Sequence, residues 1–371
     1  MRDLATRIVA SLAAAAALTC GAAPPAPTMI DLGVLGGTDQ CKAVAISDSG
    51  HVVGFCFASA TPFISHAFLW TRQSGMLDLG TLGGETSIPR AVNNHGQVVG
   101  ISRTAAGDLH AFSWTRQDGM IDLGTVGGTF SSAADLNESG QVVGISRIIG
   151  SNEQHAFFWT QAGGMIDLGS LGGPGGRVIA INSSGEVIGS RRTGAFFWTQ
   201  QGGMVDLGSL GGILAVPVAI NDRGQVVGFS NTLGDHTQHG FSWTQQGGMI
   251  DLGSIEGDFS DARAVNNRGE VVGATFDADG DLVAYSWTQE GGMVDLGIFG
   301  IARAINDSGE IVGIGDGPFS WTPHGGLIAL GTLGGGFSDV VAINNRGQAV
   351  GWSAVEGSSF VHPVLWETRG R

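Results

Sequence analysis

The sequence predicts an all-β fold, an eight-bladed β-propeller of four-stranded blades. Three observations lead there. One multi-part unit recurs eight times at a mean spacing of about 42 residues. Each unit holds four short apolar runs bounded by turn residues. Glycine supplies 64 of 371 residues while charged residues supply only 14%. Glycine at that level argues against long helices, where each interior Gly costs roughly 1 kcal/mol relative to Ala. The 42% of apolar residues argues equally against disorder.

The second unit shows the elements in order. A first strand ends in Arg90-Ala91-Val92 and meets Asn93-x-x-Gly96, a tight hairpin in which Asn takes the first turn position and Gly supplies a positive φ. Val98-Val99-Gly100 forms the second strand, and His110-Ala111-Phe112-Ser113-Trp114 the third. A second short hairpin leads to the fourth strand, Met120-Ile121-Asp122-Leu123-Gly124. The Trp recurs at Trp70, Trp114, Trp159, Trp198, Trp243, Trp287, Trp321 and Trp366, and Asp-Leu-Gly begins at seven positions from Asp31 to Asp295, with Ala329 standing in the eighth. Phe112 and Trp114 are spaced i, i+2 and project from one face. A single small sheet cannot bury two such rings, so neighbouring units must stack.

The spacing from Asp-Leu-Gly to the Asn turn is nearly constant, whereas the loop between the second and third strands varies. Constant length marks a crossing between blades, and variable length a surface hairpin. The chain then opens on an outer strand, 29–33, and closes on an inner-blade strand, 363–366. Pairing the two completes an eighth blade and removes two exposed edges. An open solenoid of the same repeat would leave both termini unpaired.

Residues 1–23 carry Arg2 and Arg7, the apolar run Ile8 to Leu18 and then small residues, the layout of a secretory signal. Lipid anchoring at Cys20 is disfavoured by the preceding Ala17-Leu18-Thr19. We read residues 24–371 as one exported domain, extracellular or periplasmic, with no transmembrane segment. In an oxidising compartment Cys41 and Cys56 are candidates for a disulfide. A hairpin symmetric about Asp48 and Ser49 sets them opposite one another, whereas a three-residue turn with a glycine bulge puts them on opposite faces. The net charge of −15 and the single lysine, Lys42, exclude nucleic acid as a partner.

The unit His110-Ala111-Phe112-Ser113-Trp114, repeated as His155-Ala156-Phe157-Phe158-Trp159 and followed by Asp-Leu-Gly, Leu-Gly-Gly and Asn-x-x-Gly, resembles the HAF repeat of bacterial extracellular proteins. The resemblance covers essentially residues 29–369. Gly194, Val283 and Gly317 depart from it at the His. It implies an exported repeat protein and brings no catalytic residues.

The repeated His (His66, His110, His155, His239, His362) invites a metal reading, but equivalent positions around a ring lie too far apart to share one ion. We expect each to bond its surroundings, including the Asp of Asp-Leu-Gly, and we expect that Asp to cap a strand end. Asp277-Ala278-Asp279-Gly280-Asp281 reads as a hairpin turn rather than a calcium loop, lacking the twelfth-position Glu. No Gly-x-Ser-x-Gly or phosphate loop occurs. Complete repetition without a unique catalytic set leads to the expectation of a non-enzymatic, monomeric, cofactor-free scaffold binding a glycan or protein at the cell surface. Its contacts would come from repeat-breaking residues Asp39, Glu85, Arg90, Asp258, Asp261 and Asp339, or from variable hairpins near 59–64 and 235–236. The alternative is a carbohydrate-active or other hydrolytic propeller with acidic residues at the axial channel, recognisable by two carboxylates, for example Glu85 and Asp258, meeting across it.

Overall fold

The computed structural model describes residues 27–368 except 37, 58–63, 173–174, 193 and 235–236. The expected leader at 1–23, with Cys20, and nearly all of the two variable hairpins lie outside the described residues. Blade 1 consists of Gln40–Ile46, Val52–Phe57, Ser65–Thr71 and Gly75–Asp78, each antiparallel to the one before. Blades 2 to 7 repeat this order from the innermost strands Gly83–Val92, Ser131–Leu136, Arg177–Ile181, Gly211–Ile220, Glu256–Val265 and Ile301–Ile305. Blade 8 takes Gly334–Ile343, Gln348–Val355 and Val361–Glu367 from the end of the chain and its outermost strand, Thr28–Asp31, from the beginning. The register sets Met29 against Trp366 and Asp31 against Val364. This is the pairing of the two ends that the unit boundaries require. Among the described residues no helix is long and apolar enough to cross a membrane.

The core lies between blades. Phe112 and Trp114 of blade 2 pack on Val53, Ala67 and Leu69 of blade 1, and the seam between first and last blades is filled in the same way, by Phe68 and Trp70 against Val350 and Leu365. Each fully buried ring of this kind contributes roughly 2 to 3 kcal/mol. The second strand passes beneath the Phe, and its Gly is required there. A Cβ on Gly100 would collide with the Ile88 carbonyl and lie 2.9 Å from the Phe112 ring.

Cys41 and Cys56 are joined by a disulfide. Near the turn, Ile46 pairs Val52 and Ala45 pairs Val53, the register of the longer turn. A bulge between Ala43 and Ala45 then shifts the ladder by one, so that Ala43 faces Gly54 and Cys41 faces Cys56. Both registers weighed from the sequence therefore occur within one hairpin. In blades 2 and 3 the same pair of positions is Ser87 with Ser102 and Ser131 with Ser146.

Candidate functional site

The Asn-x-x-Gly turns converge on the propeller axis. In blade 2, Asn93 Oδ1 accepts the N–H groups of His95 and Gln97 at 3.1 and 3.0 Å, closing the turn locally, and Gly96 sits at φ +77°. Asn93 Nδ2 donates outward to the Asn137 carbonyl of blade 3 at 3.2 Å. The same bond passes from Asn137 to Asn182, Asn221, Asn266, Asn306, Asn344 and finally to Ser47 of blade 1. These amides are buried and form an inner arc of seven bonds from blade 2 round to blade 1, where Ser47 stands in place of the Asn.

The following residue of each turn forms an outer ring: Asp48, Asn94, Glu138, Ser183, Asp222, Asn267, Asp307 and Asn345. Here a side-chain oxygen accepts the backbone N–H of the preceding blade, as in Asn267 N to Asp307 Oδ1 and Asn345 N to Asp48 Oδ1, both 2.8 Å. Two amides also bridge carboxylates. Asn267 Nδ2 lies 3.1 Å from Asp222 Oδ2 and 3.2 Å from Asp307 Oδ2. Asn345 Nδ2 lies 3.0 Å from Asp48 Oδ2 and 3.4 Å from Asp307 Oδ2. The rim encloses a depression of about 390 Å³ floored by Ile46, Ile181, Ile220, Val265, Ile305 and Ile343. Hydrogen-bonding groups ring an apolar floor, the combination that fixes the orientation of a small polar ligand.

The outer ring is interrupted once. Among the described residues no bond joins Glu138 to Ser183, whose side chain is too short to replace Asp or Asn. At that seam a deeper carboxylate crosses from blade 3 to blade 4: Asp135 Oδ2 accepts the Ile181 N–H at 3.0 Å, and Oδ1 accepts the Leu136 N–H at 2.9 Å. Burial raises the Asp135 carboxyl to about 6, although both N–H groups pull it down. Asp222 moves the other way. Burial would lift it, but bonds from the Ser183 backbone and hydroxyl and from Asn267 outweigh that and hold it below the ordinary aspartate value. One carboxyl beside the mouth, Asp135, is thus pushed up to about 6, and one in its rim, Asp222, is held down.

The residues singled out from the sequence fall elsewhere. Glu85 and Asp258 are exposed near the starts of their innermost strands, at the opposite end from the mouth, and do not line it. Asp261 is buried and held by Arg263 through Nη2 at 2.6 Å and Nε at 3.1 Å. Asp339 is held by Arg303 of blade 7 at 2.6 Å. Arg90, at the strand position of Arg263 and Arg303, is exposed and has no ion pair among the described residues. Each repeated His bonds the Asp of its own blade, His110 Nδ1 reaching Asp122 Oδ2 at 2.8 Å and His362 reaching Asp31 across the closing pair at 2.9 Å. The same Asp caps the strand end, as in Gly124 N to Asp122 Oδ1 at 2.8 Å. Where Gly194 replaces the His, Arg191 takes its place on Asp206. Asp277 Oδ1 accepts the N–H groups of Asp279 and Asp281, an ordinary turn.

Sequence reasoning missed Asp135 and the outer ring. Asp135 stands where the other seven blades have Ala45, Ala91, Ala180, Ala219, Ala264, Ala304 and Ala342, and aligning the units position by position exposes it. The ring residues are the first "x" of Asn-x-x-Gly. Treating them as turn filler overlooked that the tips of eight hairpins meet at one axis.

No family model and no characterised protein matches the chain by sequence. Among solved structures the chain is similar to an oligogalacturonate lyase, at 12% identity and a TM-score of 0.51, covering 92% of this chain and 96% of that one. It is similar to Porphyromonas gingivalis dipeptidyl peptidase 4 at 11% identity and a TM-score of 0.51, over 84% of this chain and 48% of that one. TolB from Acinetobacter baumannii matches at 12% identity and a TM-score of 0.41, over 71% of this chain, which spans 65% of that protein. What is shared at such identity is the propeller fold. The expectation of a non-enzymatic scaffold is corrected here. Two of the propellers similar to this chain are an oligogalacturonate lyase and a dipeptidyl peptidase, and the premise that repetition leaves no unique chemical set fails at the mouth, where one repeated position carries unlike side chains.

Proposed function

We propose that the chain is an exported, carbohydrate-active hydrolase working at the axial mouth. The observation that carries this is the bridging of Asp222, Asp307 and Asp48 by Asn267 and Asn345. Each bridged pair of carboxylate oxygens is held within about 6.5 Å, the spacing over which paired carboxylates cleave glycosidic bonds. The polar rim suits sugar hydroxyls, and the apolar floor suits the C–H face of a pyranose ring. To Asp135, which closes the blade 3–4 seam beside the mouth, we assign the proton that passes to the glycosidic oxygen as the bond to the anomeric carbon breaks. Asp222, ionised, accepts a proton from the water that adds to that carbon. Export is supported by the Arg2/Arg7-apolar leader and by the Cys41–Cys56 disulfide. The repeated unit alone supports assignment to the HAF-repeat proteins, and the paired termini support a monomer.

The test is release of reducing ends from a panel of neutral and acidic oligosaccharides by purified residues 24–371. Asp222→Asn is expected to lower kcat by roughly 100- to 10,000-fold, while Glu85→Gln, at the opposite end of the channel, leaves it unchanged. Full activity in Asp222→Asn, or no release from any member of the panel, sinks the reading.

A further inference from the structure

Beside the mouth, a groove of about 620 Å³ runs along the turn-bearing face of blade 1, with Arg346 of blade 8 on one side and Arg116 of blade 2 on the other. It starts where the mouth ends: Arg346 follows Asn345 of the outer ring, and Ser49 follows Asp48. Its walls carry Arg72, Arg116 and Arg346, all exposed, and Trp70 lies at its base. No Asp or Glu among the described residues lines it, in a chain whose net charge is −15. Arg72 is partly neutralised by Glu367. The guanidinium groups of Arg116 and Arg346 have no ion-pair partner among the described residues. His51, also in the groove, is held below the ordinary histidine value by burial and by the Arg116 charge, with the Asn93 backbone opposing, so the arginines carry the positive charge. The comparable groove between blades 5 and 6 sets Glu270 and Glu290 among its arginines, so a carboxylate-free lining is not a general property of these seams.

We infer that this groove is a subsite for the carboxylate-bearing sugars of an acidic oligosaccharide whose scissile bond lies at the mouth. The inference deepens the carbohydrate-active reading and rests on it. Two unpaired guanidinium groups offer the fork geometry that carboxylates accept in two parallel hydrogen bonds. The mouth itself is lined by carboxylates and repels an anion, so a polyanionic chain needs its attraction placed to one side. Binding energy from these remote sugars then holds the reacting sugar over Asp135 and Asp222.

Calorimetric titration of the full mature chain tests this with three probes: a hexameric oligouronate, its carboxyl-reduced neutral counterpart, and inorganic phosphate. The oligouronate should bind at least tenfold more tightly than the other two, with affinity falling as salt rises. The double variant Arg116→Gln/Arg346→Gln, altered only at exposed side chains, should lose at least tenfold in oligouronate affinity and nothing in neutral-oligomer affinity, and Lys at both positions should recover part of the loss. Unchanged oligouronate affinity in the double variant overturns the inference, as does equal binding of the neutral oligomer or of phosphate. Binding is read without turnover. Arginine-dependent binding with no released reducing ends overturns the hydrolase reading and leaves the groove standing, whereas hydrolysis without arginine dependence overturns the groove alone.

Discussion

At the scale of single residues, Asp135 occupies a position that is Ala in every other blade and is penalised for it. Folded Asp135 holds its proton up to about pH 6, whereas in the unfolded chain it leaves near 3.8. The folded state binds more protons across that window, so the residue's contribution is complete below pH 3.8 and is lost as pH rises through 6. The full shift sets an upper bound of about 3 kcal/mol. Asp135→Ala should therefore raise the melting temperature at pH 8 and not at pH 4, and thermal melts at the two values check it. A second residue pair is coupled by space. Tyr285 takes the Phe position in blade 6 and donates its hydroxyl to the Asp261 carbonyl at 2.9 Å, while blade 5 has Gly240 where most blades have Ala. A Cβ on Gly240 would lie 3.1 Å from that hydroxyl. Gly240→Ala should cost about 1 to 3 kcal/mol, and Tyr285→Phe about 1 kcal/mol. The double variant should cost less than their sum, as denaturant titration of all four proteins would show.

Among the elements, the strands and their order were legible because period-2 alternation, Gly punctuation and loop-length constancy all follow from blade geometry. The His–Asp pairs were legible too, since one strand register places both residues side by side in every unit. The bulge in each innermost strand was not. It arises where the backbone curves toward the axis, and it leaves no residue signature that distinguishes Ala43-Val44 from an ordinary pair. That bulge decides which residues face each other beyond it, and so it decides the disulfide. Since blades 2 and 3 place facing serines at the same positions, Cys41→Ser/Cys56→Ser should fold and lose no more than about 3 kcal/mol, the entropy of a 15-residue loop. Thermal melts of the variant, and of the wild type with reductant, should then coincide. Failure of the variant to fold would show that the serine pair is no substitute.

For the whole molecule, repetition and chemistry have different origins. Eightfold repetition builds the ring, and closure by Thr28–Asp31 on Val361–Glu367 makes every seam equivalent in its packing. Function enters where equivalent positions cease to be chemically equivalent. That happens at the turn tips, which only the closed ring brings within hydrogen-bonding distance, between residues as distant in sequence as Asp48 and Asn345. Glu85 and Asp258 drew notice because they break the repeat, but without the ring geometry nothing in the chain tells which end of the inner strand meets the axis. The central claim is that the mouth is catalytic and that Asp135 is kept for its proton at the expense of stability. The most direct measurement is kcat/KM against pH for the wild type and Asp135→Ala on the best oligosaccharide of the panel. The account predicts a wild-type rate that falls as pH rises through about 6, and a variant that is more stable at neutral pH yet at least 100-fold slower. A variant with the wild-type rate and the same pH limb would contradict it.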